Sequence, residues 1–151
     1  MQSRMVSSND VAARHRPEAP VKIDGENALR VFLVEDAVTF RERLADYLEE
    51  PGRIEMVGYA DTEDAAVQYL RTEQPDVVIV DLHLKTGNGI GVIAAVRAVS
   101  PQPPPTIVVL TNYAFPEFEL ACRTRGADYF FDKSTQFGAV KALLESLRDT
   151  A

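Results

Sequence analysis

Five short apolar runs, LRVFLV (29–34), IEMVGYA (54–60), VVIV (77–80), TIVVL (106–110) and YFF (129–131), recur at intervals of about two dozen residues. This rhythm constrains the fold more than any other feature. The runs are rich in β-branched and aromatic residues and bounded by turn formers, so they read as strands. Between them, apolar residues fall at helical spacing: Phe40, Leu44, Tyr47 and Leu48; Ala66, Val67 and Leu70; Ile90, Ile93 and Ala94; Phe118, Ala121 and Cys122; Phe137, Val140, Leu144 and Leu147. Asp61 or Thr62 is placed to cap the second helix, Pro75 to end it, and Gly126 to take a left-handed conformation after the fourth. Five strands alternating with five helices specify a parallel sheet covered on both faces, a doubly wound α/β domain. The unbroken apolar run VVIV suits a central strand, buried on both sides.

The 151 residues suit one domain, and 46% hydrophobic content is enough for one core. Residues 1–27 lack apolar periodicity and read as a flexible, charge-neutral N-terminal tail, so the whole net charge of −7 falls on the folded region 28–151. That charge argues against direct contact with nucleic acid or an anionic membrane surface. The Arg14, His15, Arg16 cluster could meet an anionic partner or simply be solvated. One cysteine, Cys122, cannot form an internal disulfide, and with His15 and His83 it cannot build a zinc cage. The sequence has no run long enough to span a membrane and no apolar secretory stretch, so a cytoplasmic protein is the expectation. The proline-rich SPQPPPT (100–106) reads as a stiff loop, with an SH3-type ligand as the weaker alternative.

In open α/β sheets, ligands bind beyond the carboxyl ends of the strands. Those ends are polar here: the first run is followed by Glu35 and Asp36, the third by Asp81, the fourth by Thr111, and the fifth leads through Asp132 to Lys133. Three carboxylates from two strands crowd one crevice, and their repulsion calls for a cation. All-oxygen ligands favour Mg²⁺, with Mn²⁺ as the alternative. Taken singly, each residue has a plain structural reading. Asp36 or Asp61 could cap a helix, Thr111 could end a strand, and Lys133 could be solvated. Together they supply metal ligands, a nucleophile, a hydrogen-bond donor and a charge clamp for a phosphoryl group.

These motifs resemble the receiver domains of two-component response regulators. The resemblance runs from Ala28 to about Arg148 and rests on VED (34–36), VVIVDLHL (77–84), VVLTN (108–112) and GADYFFDKS (126–134), with Asp36, Asp81, Thr111 and Lys133 spaced by 45, 30 and 22 residues. It implies a flavodoxin-like (βα)5 sheet of strand order 2-1-3-4-5. It makes Asp81 the phosphoacceptor, charged by the phosphohistidine of a sensor histidine kinase or phosphotransfer protein. Asp36, Glu35, Asp81 and the backbone carbonyl of His83 become the Mg²⁺ ligands. Lys133 and Thr111 contact the phosphoryl oxygens, and Thr111 with Phe130 forms the switch. The chain is then a signalling phosphoacceptor whose own chemistry is limited to self-phosphorylation and self-dephosphorylation. Its face made by the fourth helix, fifth strand and fifth helix would meet a downstream protein, or a second copy in a phosphorylation-dependent homodimer.

Lys85 and Ser134 stand where receivers commonly carry proline, and Gly89 stands where they often carry glycine. His83 and Tyr113, two residues beyond Asp81 and Thr111, are expected to border the approach of hydrolytic water. Three competitors share parts of the pattern. A haloacid-dehalogenase-type phosphatase wants a second acid where His83 stands. A flavin carrier wants a phosphate cradle where EDAVTF stands. An unphosphorylated receiver-like interaction module would not need the intact set of acids, hydroxyl and lysine. Only three residues follow Arg148, so no output domain is expected within the chain.

Overall fold

The computed structural model describes residues 28–99 and 103–150. The tail reading, the Arg14–Arg16 cluster and the middle of the proline loop lie outside the described residues. In chain order the elements are β1 (Leu29–Val34), α1 (Val38–Leu48), β2 (Ile54–Ala60), α2 (Glu63–Thr72), β3 (Val77–Val80), α3 (Gly89–Val99), β4 (Thr106–Thr111), α4 (Pro116–Thr124), β5 (Tyr129–Asp132) and α5 (Phe137–Thr150). The strands form one parallel sheet in the order β2-β1-β3-β4-β5. This is the expected 2-1-3-4-5 arrangement.

Alternation along each strand divides the core in two. Phe32, Val34, Val78, Val80, Ile107 and Val109 point to one face, where Ala66 of α2, Val92, Ile93 and Val96 of α3, and Cys122 of α4 cover them. Val31, Leu33, Val77, Ile79, Val108 and Leu110 point to the other, under Leu44 and Leu48 of α1 and Val140 and Leu144 of α5. The central strand β3 is buried along its whole length, as its unbroken apolar run demands.

Three helix faces differ from the spacing argument. In α3 the buried stripe is Val92, Ile93 and Val96, and Ala94 is exposed. An apolar helix offers several overlapping stripes, and the one with branched side chains buries more area than one containing alanine. In α4 only Cys122 is buried, while Phe118 stays at the surface. Tyr47 of α1 is likewise 39% exposed.

Caps and turns follow the sequence closely. The Thr62 side chain accepts the Ala65 N–H at 3.1 Å to start α2. Gly126 has φ +114° after α4, and the Arg97 guanidinium donates to its carbonyl at 2.9 and 3.1 Å. Asp128 accepts both the Ile107 amide and Arg97, which fixes β5 beside β4.

Leu144 is fully buried under the sheet, whereas Leu120 is 69% exposed. Leu144→Ala is expected to cost about 2–5 kcal/mol of stability, and Leu120→Ala less than about 0.5 kcal/mol. Urea denaturation of the two variants checks this contrast.

Candidate functional site at the carboxyl edge of the sheet

Strand register brings the strand-end residues together. Val34 pairs with Val80, so Glu35 and Asp81 leave neighbouring strands at the same level. Main-chain bonds hold them there: the Asp81 N–H donates to Val34 O at 3.0 Å and the Glu35 N–H to Ala60 O at 2.9 Å. On the far side Thr111 pairs with Asp132, and the Lys133 N–H donates to Thr111 O at 2.9 Å. Lys133 therefore enters the crevice one residue past the paired strand ends.

The Lys133 ammonium occupies the centre. Its Nζ lies 2.8 Å from Glu35 Oε1 and 2.8 Å from Asp81 Oδ2, and all three side chains are at most 8% exposed. The Phe40 ring lies 4.2 Å from the same nitrogen, a cation–π contact on a third side. Burial alone would lower the lysine pKa, but the hydrogen bonds and attraction from Asp81 and Glu35 outweigh it and hold the ammonium above its ordinary range. For Glu35 the balance reverses. Burial raises its carboxyl above the usual value despite hydrogen bonds from Lys133 and the Ala37 amide.

The cation demanded by the clustered acids is thus partly supplied by the chain itself. One ammonium against three carboxylates still leaves surplus negative charge. Asp36 holds that surplus: it is half-buried and makes no hydrogen bond or ion pair among the described residues. It does not cap α1, whose cap residue is Ala37. Both Glu35 oxygens are engaged, Oε1 by Lys133 and Oε2 by the Ala37 amide at 3.1 Å. Among the described residues no three acidic, histidine or cysteine side chains form a ready cage. The donors that fit a metal are the free Asp36 carboxylate, the remaining lone pairs of Asp81 and a main-chain carbonyl such as that of His83. This sparse all-oxygen set suits Mg²⁺, which keeps several waters.

The remaining predicted residues line the same edge. Thr111 is fully buried, and its hydroxyl accepts the Tyr113 amide at 3.1 Å. Phe130 pairs in register with Val109 and packs against the core cluster on the α2, α3 and α4 face. Tyr129 is 37% exposed, as strand alternation requires. The His83 and Tyr113 rings meet with centroids 5.5 Å apart, and Tyr113 lies in the turn before α4 rather than on the helix.

Several contributors escaped the sequence argument. Phe40 reads as an ordinary core position. Arg41 donates to the Glu35 carbonyl at 3.0 Å and stacks 3.8 Å from the Tyr59 ring. Asp132 shapes the lysine loop by accepting the Ser134 N–H at 2.8 Å and hydroxyl at 2.7 Å, bonds that pull its pKa below the usual carboxylate value. The Asp-x-Ser spacing is a turn signal and could have shown this last contact.

The raised lysine pKa stabilises the fold at all pH below about 10.5, and that contribution is lost as pH climbs through the folded value. The raised Glu35 pKa acts as a cost that grows as pH rises from about 4.5 through its folded value. Lys133→Met leaves Glu35 and Asp81 buried without their cation and is expected to cost about 3–5 kcal/mol at neutral pH. The loss should shrink on acidification through the Glu35 range. Urea denaturation across a pH series checks it, and a loss independent of pH would show that charge compensation is not the lysine's role.

Comparison with known proteins agrees with this geometry. The family model described as the response regulator receiver domain matches residues 31–145. A protein-glutamate methylesterase/protein-glutamine glutaminase of Rhodopseudomonas palustris is 30% identical over 122 residues, covering 81% of this chain and 30% of that protein. The sensory transduction protein LytT of Bacillus cereus is 32% identical over 95 residues, 61% of this chain and 38% of that one. The chain therefore spans well under half the length of these relatives. Among solved structures, the receiver domain of NarL from Mycobacterium tuberculosis superposes with a TM-score of 0.72 at 24% identity, covering 82% of this chain and 98% of that one. A Burkholderia pseudomallei response regulator, solved with a phosphorylated aspartic acid, a calcium ion and citrate, gives a TM-score of 0.66 at 27% identity, covering 80% and 69%. A family match across most of the chain, on a sheet of this order with acids, hydroxyl and lysine at its carboxyl edge, places the protein among the response regulator receiver domains of two-component signalling.

Proposed function

We propose that Asp81 accepts a phosphoryl group from the phosphohistidine of a sensor histidine kinase or a phosphotransfer protein. The observation that carries this reading is the buried Lys133 ammonium held 2.8 Å from Asp81 and Glu35. In the transfer, the phosphorus–nitrogen bond of the donor breaks and a phosphorus–oxygen bond to the Asp81 carboxylate forms. A carboxylate ionised at neutral pH needs no separate base. Lys133 pairs with Asp81 before transfer and would face the phosphoryl oxygens afterwards, a point charge suited to either partner. The phosphorylated aspartate and calcium ion in the Burkholderia pseudomallei relative support the same chemistry here.

Receiver domains generally use Mg²⁺, which when bound offsets phosphoryl charge during transfer. Asp36, Asp81 and the His83 carbonyl would hold it in this chain, with Glu35 acting through water, since its two oxygens are engaged by Lys133 and the Ala37 amide. Thr111 would read the result. Its hydroxyl, now satisfied by the Tyr113 amide, would turn toward a phosphoryl oxygen, and Phe130 on the adjacent strand would move into the released space. The surface of α4, β5 and α5 would then meet a downstream protein or a second copy of the chain.

With Mg²⁺ and acetyl phosphate, the protein is expected to gain one labile phosphoryl group. Incorporation that persists in Asp81→Asn, or after the metal is chelated, would sink the assignment. The paired His83 and Tyr113 rings generate a second expectation, because hydrolysis needs a water in line with the bond from phosphorus to the Asp81 oxygen. Tyr113→Ala should lose its phosphoryl group about 10-fold faster, about 1.4 kcal/mol of barrier. An unchanged decay rate would mean that the ring does not guard the site.

A further inference from the structure

The loop after Asp81 has no proline to stiffen it, yet it is tied down at several points, all from the junction of β2 and α2. The Lys85 N–H donates to Asp61 O at 3.3 Å, and the Glu63 N–H donates to Thr86 O at 3.0 Å. The Glu63 side chain then crosses to the start of α3, where Oε1 accepts the Asn88 N–H at 3.0 Å. Asn88 in turn accepts the Gly91 N–H at 3.0 Å.

Two glycines make room for that carboxylate. A Cβ at Gly87, where φ is +80°, or at Gly91 would overlap Glu63. A third glycine passes the constraint to the phosphoacceptor. Gly89 N–H donates to Leu82 O at 3.0 Å, and a Cβ at Gly89 would collide with the Asp81 carbonyl. The start of α3 therefore rests directly on the main chain of Asp81, and a carboxylate anchored on α2 holds that start in place. The negative charge at the amino end of α3 also suits the helix dipole.

We propose that Glu63 is a positioning residue for the phosphoryl-transfer site: through Gly87, Asn88 and Gly91 it clamps the 82–89 loop, and so sets the Asp81 main chain and the His83 carbonyl for Mg²⁺. This rests on the phosphoacceptor reading of Asp81. The clamp does the stiffening that a proline in the loop would otherwise do, and it does so from a different element. It acts on the loop geometry and touches neither metal nor phosphoryl group.

The test compares Glu63→Ala, Glu63→Gln and Gly91→Ala, all in the full chain. Glutamine keeps an acceptor for the Asn88 amide, whereas the alanine at 91 expels the carboxylate without removing it. Three readouts serve: amide hydrogen exchange of residues 85–89 in metal-free protein, the Mg²⁺ dissociation constant from amide shifts of Leu82 and His83, and the rate of the acetyl phosphate reaction at saturating Mg²⁺. Glu63→Ala and Gly91→Ala should speed the exchange at least 10-fold and weaken Mg²⁺ about 10-fold, with the acetyl phosphate reaction at saturating Mg²⁺ changed less than 3-fold. Glu63→Gln should stay within about 3-fold of wild type on all three. A purely structural role would lower the melting temperature without this split and without rescue by glutamine. Exchange and Mg²⁺ affinity unchanged in Glu63→Ala would overturn the proposal. A wild-type protein that takes up no phosphoryl group would overturn the reading of Asp81 instead, and amide exchange would still judge the clamp.

Discussion

A single buried ammonium, Lys133 Nζ between Glu35 and Asp81, is the constraint on which the rest of the site depends. Two carboxylates removed from water repel each other and lose hydration, and both costs would open the crevice unless a cation offset them. The lysine offsets both because it reaches each acid at hydrogen-bonding distance and has an aromatic ring behind it. Charge pairs of this kind are poor sources of net stability, since desolvation consumes most of the attraction. Their effect here is to hold Glu35 and Asp81 side by side at the buried edge of the sheet.

The architecture follows from where that lysine must stand. A parallel sheet puts every strand end at one edge, so residues far apart in the chain become neighbours without any long-range loop. The Val34–Val80 and Thr111–Asp132 pairs set the level from which Glu35, Asp81 and Lys133 emerge. Turn chemistry at Asp132 and Ser134 then aims the lysine, and Glu63 accepts the Asn88 N–H in the loop beyond Asp81. Asp36 is half-buried and makes no hydrogen bond or ion pair among the described residues.

Much of this was legible in the sequence because strands buried on both faces cannot disguise their apolar runs. The five runs stand out as short continuous apolar stretches bounded by turn formers, and the polar residues at their ends are read directly from the positions that follow them. Helix faces were less legible. In α3 any of several stripes would have served, and only contact with the sheet selected Val92, Ile93 and Val96 over Ala94. The dual role of Phe40, half core and half lysine support, has no local signature, because its partner is 93 residues further along the chain. Arg41 and Glu63 were missed for the same reason: a charged residue on a helix looks solvated until the neighbouring element is known.

By itself the sequence determined the number and direction of the strands, the division into two apolar layers and the identity of the strand-end acids, hydroxyl and lysine. Each of these depends on local periodicity or on residue type at a strand end, and both are properties of short segments. Tertiary structure decided which charges meet. The acids suggested a metal as their counter-ion, and the folded chain shows that Lys133 already neutralises part of them, leaving Asp36 as the open carboxylate. Electrostatic balance depends on distances of a few ångströms between elements, and only the packed fold sets those distances.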